Sequence, residues 1–120
     1  MSVHEFEVLS DPVRRRILEL LAVRESSSGE VCAVIQAEFG ITQSAVSQHL
    51  RVLRDAGFAS VRREGTRRLY AVREGPLRDV DLWLDRFRWL WSQSMEALAV
   101  ELDRGRSQRR RAQPEPGDEG

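Results

Sequence analysis

Lysine is absent from this sequence: all 19 basic residues are arginine. Arginine suits bidentate contacts to phosphate and guanine, although genome base composition by itself produces the same bias. Cysteine is nearly absent as well. The single Cys32 excludes an intramolecular disulfide and fits a reducing compartment. Long apolar runs are missing, since no stretch approaches the ~20 apolar residues of a membrane span. The first ten residues, MSVHEFEVLS, lack a basic start followed by an apolar run, so no signal peptide is expected. The expectation is a cytoplasmic protein with no membrane partner. The sequence has no internal repeat. It also has no glycine-rich phosphate loop, no paired catalytic carboxylates on one element and no Ser, His and Asp set in a fitting context. Those absences argue against an enzyme.

What is present is a chain of 120 residues, 41% hydrophobic, which suits one domain with a modest core. A long apolar face on so small a body calls for a partner subunit to cover it. The net charge of zero hides a segregation. Residues 1–40 carry 4 arginines against 7 acids, residues 41–73 carry 7 against 2, and residues 74–120 carry 8 against 10. The middle third is therefore basic, and a local basic surface attracts phosphate whatever the whole-chain total.

A short first helix is expected near residues 2–9, with Val3, Phe6 and Leu9 inward. Asp11-Pro12 starts a second: Asp is a good N-cap, and Pro fits the first helical position, where its missing N–H costs nothing. Val13, Ile17, Leu20 and Leu21 recur at helical spacing. Arg14, Arg15 and Arg16 fan out on the other faces, either as a solvated surface or as phosphate contacts at the edge of a DNA footprint. Residues 26–29, SSSG, form a loop, and Ser27 with Glu30 fits a capping box. A third helix carries Val31, Val34, Ile35 and Phe39 and stops at Gly40, a left-handed terminator. After a buried Ile41, Thr42 caps the next helix.

That fourth helix, from about Gln43 to Ala56, has two distinct faces. Val46, Leu50 and Leu53 form an apolar stripe with Ala45 beside it. Ser44, Ser47, Gln48 and Arg51 form a second stripe of short polar and amide groups without an acid. A merely solvated face mixes acids and bases in pairs; this one holds groups that hydrogen-bond base edges and phosphates. Residues 58–72 follow as a β-hairpin, with Val61, Leu69, Tyr70 and Val72 as strand residues and Glu64-Gly65-Thr66 as the turn. Arg62 and Arg63 lie on one arm, Arg67 and Arg68 on the other. Beside a helix in the major groove, such a hairpin reads as a wing along phosphates or in the adjacent minor groove.

Gly75-Pro76 breaks the chain again, and a long helix is expected from Leu77 to about Arg104, ~42 Å at 1.5 Å per residue. Its apolar positions include Val80, Trp83, Leu84, Phe87, Trp89, Leu90, Trp91, Met95, Leu98 and Leu102. This arc is broader than one packed side requires. It fits burial on the chain's own domain together with a second subunit, or a single large intrachain core. Residues 105–120, rich in Arg, Pro, Gly and acid, carry no apolar pattern and read as a disordered tail after a folded domain of residues 1–104.

Three segments, LSDPVRRRILELL (9–21), ITQSAVSQHLRVLRDAGF (41–58) and VRREGTRRLYAV (61–72), resemble the ArsR family of bacterial winged-helix repressors. The resemblance covers about residues 3–102, and the second segment is the most specific. It implies a mainly α fold with a small β-hairpin: a winged helix-turn-helix that dimerises through its terminal helices. It implies that the helix from Gln43 lies in the major groove of double-stranded DNA. Gln43, Ser44, Ser47, Gln48 and His49 would then be at or near DNA and Arg51 and Arg54 on phosphates, with Arg62, Arg63, Arg67 and Arg68 on the wing. His49 borders this stripe and fits a solvated or neighbour-bonded residue equally well. A homodimer would be held by Trp83, Leu84, Phe87, Leu90, Trp91, Met95 and Leu98. The implied role is a repressor of transcription on a palindromic operator.

The family's metal-sensing motif has two cysteines separated by one residue. The matching EVCAVIQ has Cys32 alone, and the long helix offers Asp79, Asp81 and Asp85 but no His. Zinc and similar ions need about four ligands in defined geometry, so neither a metal nor any other cofactor is expected. Cys32 reads as a buried small hydrophobe, with a one-cysteine redox switch as the alternative. The segment PLRDVDLWLDRFRWLW is similar to the metal-free, autorepressor-like branch, whose proline-started helix with spaced Trp forms the dimer core. That resemblance leaves room for an effector that the residues do not identify. A rival reading is a winged helix that binds another protein; the uncharged Ser/Gln face argues against it, because protein hot spots favour Trp, Tyr and Arg.

Overall fold

The computed structural model describes residues 3–112, and side chains for residues 4–106. In chain order the elements are α1 (Val3–Leu9), α2 (Pro12–Val23), β1 (Ser26–Ser27), α3 (Ser28–Phe39), α4 (Gln43–Asp55), β2 (Ala59–Glu64), β3 (Arg67–Val72) and α5 (Glu74–Ala112). The chain divides after Leu82 into two compact units, a division inside α5 that the sequence pattern does not mark.

The first unit holds the core. Val8, Ile17, Leu21, Val31, Ile35, Val46, Leu50, Leu53 and Phe58 are almost wholly buried, and Tyr70 joins them from β3. The helix starts follow the capping chemistry of the sequence. Asp11 accepts the N–H groups of Val13 and Arg14 at 2.8 and 3.2 Å. Ser27 and Glu30 close the capping box, each side chain accepting the other's backbone N–H at 3.1 Å. Gly40 ends α3 at φ +67°.

The inward residues differ from expectation in three places. In α1 the buried residue is Val8, and Phe6 is exposed; Val3 lies outside the residues whose side chains are described. In α2, Leu18 is buried and Leu20 only partly so. In α3 the buried arc runs through Val31, Cys32 and Ile35, which leaves Val34 and Phe39 on its exposed flank.

The hairpin is not alone. β1 pairs antiparallel with β3, Ser26 opposite Tyr70 and Ser27 opposite Leu69, so the sheet has three strands in the order β1-β3-β2. The serines read as loop because two residues cannot show a period-2 apolar pattern. Both are nevertheless buried, where pairing with β3 gives backbone groups the partners that burial demands. The hairpin loop itself is two residues, with Glu64 paired to Arg67 around Gly65-Thr66.

α5 begins at Glu74, before Pro76, and runs to Ala112. It therefore takes in residues 105–112 of the stretch expected to lack order; residues 113–120 lie outside the described residues. Arg, Gln and Ala are good helix formers, so this stretch can stay helical without an apolar face of its own.

One turn fixes where the wing stands. Past α4, Gly57 takes φ +81°. Its N–H donates to Arg54 O at 3.0 Å, and the Phe58 N–H donates to Leu53 O at 2.9 Å. This is the Schellman pair of bonds, and the accompanying apolar contact residues, Leu53 and Phe58, are both fully buried. A Cβ on Gly57 would meet Pro76 Cγ at an ordinary 3.7 Å, so the constraint is backbone conformation and not crowding. Gly57→Ala is expected to lower stability by about 1–2 kcal/mol, and Phe58→Ala by about 3–5 kcal/mol, read by urea unfolding. A neutral Gly57→Ala would show that this turn does not need the left-handed conformation.

Candidate nucleic-acid interface

α4 is built to show one face. The Thr42 hydroxyl accepts the Ala45 N–H at 3.1 Å and starts the helix. Val46, Leu50 and Leu53 anchor it in the core, so Ser44, Ser47, Gln48 and Arg51 point outward and are exposed, as is Gln43. Among the described residues, none of these five side chains has a partner within the chain. His49 departs from the group. It is half-buried, and its Nδ1 is buried without a hydrogen bond to the described residues. Its charge bears on Asp11, the N-cap of α2: burial pushes the Asp11 carboxyl up, but the N–H bonds from Arg14 and Val13 and the charges of His49 and Arg14 bring it below its ordinary value.

The sheet register sorts the wing arginines onto two faces. Arg63 stands directly opposite Arg68, and Arg62 opposite Leu69; successive residues alternate sides, so Arg62 shares its side with Glu64 and Arg67. On that side Arg62 grips Glu25 in a two-pronged ion pair, Nη2–Oε1 at 2.6 Å and Nε–Oε2 at 2.9 Å, and reaches Glu64 at 3.3 Å. Arg67 holds Glu30 of the capping box at 2.9 Å. On the other side Arg63 and Arg68 have no partner among the described residues. Arg54 carries only its neighbour Asp55, at 3.2 Å.

A cleft of about 190 Å³ runs between α4 and the wing, lined by Ser28, Ser47, Leu50, Arg51, Arg54, Arg68 and Tyr70. A second of about 210 Å³ shares Arg54 and Arg68 with it and adds Val61, Arg62 and Arg63. The structure thus gathers Ser47, Arg51, Arg54, Arg63 and Arg68, leaves Ser44 and Gln48 on the outward face of α4, and sets His49 apart. Ser28 and Tyr70 are cleft residues that sequence reasoning missed. So was the pairing of Glu25 and Glu30 with the wing, since only Glu30's local cap was visible in the chain.

The triple arginine of α2 has a structural role instead. Arg14 donates to the carbonyls of Val8 and Glu7 at 2.8 and 3.2 Å, and Arg15 to that of Leu9 at 2.7 Å. Arg16 is paired with Glu38 at 2.8 Å. Cys32 is buried, and burial pushes its thiol up, which favours the protonated form over the thiolate. Among the described residues no three His, Cys, Asp or Glu side chains gather to hold a metal, and no helix is long and apolar enough to cross a membrane.

In the second unit, Phe87, Leu90, Trp91, Met95 and Leu98 are 39–65% exposed. Trp83 and Leu84 are half-buried, and the Trp83 and Phe87 rings stack at a tilt, 4.9 Å apart.

Comparison with known proteins places this geometry. Residues 9–62 match the helix-turn-helix domain model. The transcriptional repressor SdpR of Bacillus subtilis is 32% identical over 82 residues, 68% of this chain and 87% of that one. A crystal structure of the ArsR family transcriptional regulator RHA00566 superposes with a TM-score of 0.62 at 26% identity, covering 74% of this chain and 88% of that one. The chain belongs to the ArsR family. A further relative, the uncharacterized HTH-type transcriptional regulator Rv0081 of Mycobacterium tuberculosis, is 42% identical over 67 residues. That alignment spans 56% of this chain and 56% of the relative, little more than half of its length. The homodimeric winged helix-turn-helix DNA-binding domain of Mb0332 from Mycobacterium bovis superposes with a TM-score of 0.56 at 28% identity, covering 67% of this chain and 71% of that one. Within the family's architecture, α4 occupies the place of the second helix of the helix-turn-helix pair, and β2–β3 that of the wing.

The ion pairs make the wing sensitive to acid. The hydrogen bonds from Arg62 hold the Glu25 carboxyl below its ordinary value; those from the Ser27 N–H and hydroxyl, with the charges of Arg24 and Arg67, do the same for Glu30. A carboxyl lowered on folding contributes stability above the unfolded value of about 4.3 and loses it as pH falls through the lowered value. Carboxyl NMR titration is expected to place both midpoints below about 4.3. Midpoints at or above it would remove these pairs from the wing.

Proposed function

We propose that this chain is a homodimeric, sequence-specific DNA-binding repressor of transcription that works in the cytoplasm on an imperfectly palindromic operator. The observation that carries the reading is the α4 face: hydroxyl and amide groups without a partner among the described residues, bordered by Arg51, Arg63 and Arg68, which likewise have none there. Hydroxyls and amides in the major groove read base edges, and arginines on phosphates set the register. Two α4 helices related by a two-fold axis would enter successive major grooves ~34 Å apart. The exposed apolar residues of α5, with the half-buried Trp83 and Leu84, are the surface that a second copy would cover. The homodimeric state of Mb0332 and the repressor name of SdpR support both parts of the reading. Occupied promoter DNA would exclude polymerase, and no catalytic step is involved.

The test is fluorescence anisotropy on a duplex from upstream of the chain's own gene, against a scrambled duplex, at two salt concentrations. Preferential binding that weakens with salt is expected; equal weak binding to both duplexes would reject that operator. Gln48→Ala is expected to weaken specific binding by about 1–3 kcal/mol and leave scrambled binding unchanged. An equal loss on both duplexes would show that Gln48 does not read sequence. In sedimentation, Leu90→Glu with Leu98→Glu is expected to turn a dimer into a monomer. A dimer that survives both changes would move the subunit contact off this face.

A further inference from the structure

We propose that the wing meets DNA with one face only: Arg63 and Arg68 bind backbone phosphate, whereas Arg62 and Arg67 are positioning residues that hold the wing beside α4. This rests on the DNA-binding reading above and assigns the wing's four arginines, which look equivalent in sequence, to two separate tasks.

Register is the first ground. Arg63 and Arg68 are direct cross-strand partners, and like charges directly opposite each other destabilise a sheet. Among the described residues no acid pairs with either of them, and Arg54 and Arg68 line both clefts. The first of these adds Arg51 and the hydroxyl-bearing Ser28 and Ser47. A cleft lined by guanidinium groups and hydroxyl donors, with no acid among its lining residues, is complementary to a phosphodiester, which brings one negative charge and acceptor oxygens only.

The second ground is the opposite side. Arg62 spends both prongs of its guanidinium on Glu25, and Arg67 is held by a carboxylate already committed to the α3 cap. These exposed pairs contribute little energy, but they tie the wing at two points to the segment that enters α3. With their charge already balanced by a carboxylate, Arg62 and Arg67 attract phosphate less than Arg63 and Arg68 do.

Salt dependence separates the two tasks, because the slope of log affinity against log salt counts phosphate contacts. With the full-length chain on a fixed duplex, Arg63→Ala with Arg68→Ala is expected to flatten the slope by about 2 per protomer. Arg62→Ala with Arg67→Ala is expected to leave it unchanged, with at most a several-fold loss of affinity. Glu25→Arg combined with Arg62→Glu restores the pair with reversed polarity. It is expected to bind as the wild type does, whereas Arg62→Glu alone binds more weakly. Equal flattening by both alanine pairs, or failure of the reversed pair to restore binding, would overturn the division. An unchanged slope in every variant would remove the wing from the DNA contact while leaving α4 in place. A wild-type chain that binds no duplex would overturn the DNA reading itself, and this assignment with it.

Discussion

The left-handed turn at Gly57 is the constraint on which the interface depends. α4 is fixed by its apolar stripe in the core, and the wing by β3 and its ion pairs. The covalent path between them is only Ala56, Gly57 and Phe58. The Schellman bonds close that path, and burial of Phe58 locks it. A looser connection would leave the arginines of the wing and those of α4 free to drift apart, and the clefts they share would no longer have a defined width. The outward face of α4 thus depends, for its placement beside the wing, on a glycine that is not part of that face.

Charge is arranged with equal economy. The middle third of the chain has a large arginine excess, yet two of those arginines are paired with acids from the preceding segment. Glu25 and Glu30 offset the charge of Arg62 and Arg67, so the uncompensated positive charge runs in a narrower strip from Arg51 to Arg63. A focused strip favours one orientation on a polyanion over many weak ones. Segregation in sequence therefore becomes a finer segregation in space, between two sides of one hairpin.

Most of the architecture was legible because it rests on local rules. The caps at Asp11, Ser27 and Thr42, the stop at Gly40 and the apolar stripe of α4 all follow from short-range chemistry, and so did the outward face of Ser44, Ser47, Gln48 and Arg51. What escaped were relations across long stretches of chain. β1 is too short to carry a pattern, so nothing in the three serines announces that two of them pair with a strand more than forty residues away. Arg14 and Arg15 looked like free cations because backbone carbonyls, their actual partners, leave no trace in side-chain composition. His49 sits one position from Gln48, and its partial burial and its bearing on Asp11 come from packing that the sequence does not display. Both faces of the hairpin carry arginine, so the difference between them could not be read without the register and the placement of Glu25.

The arginine clamp on α1 has a consequence for how the molecule opens. A seven-residue helix is too short to persist in water on its own, and of the side chains described in α1 only Val8 is fully buried. Its terminal carbonyls are held instead by two guanidinium groups from the start of α2. Such an element behaves as a latch. It can form only once α2 is in place, and it can unfasten as a local unit without disturbing Ile17, Ile35 or Leu50. The fastening itself joins guanidinium groups to backbone carbonyls and involves no carboxylate. Local opening of α1 would uncover Val8 and free the guanidinium groups of Arg14 and Arg15, while Ile17, Ile35 and Leu50 stay covered by the remaining helices.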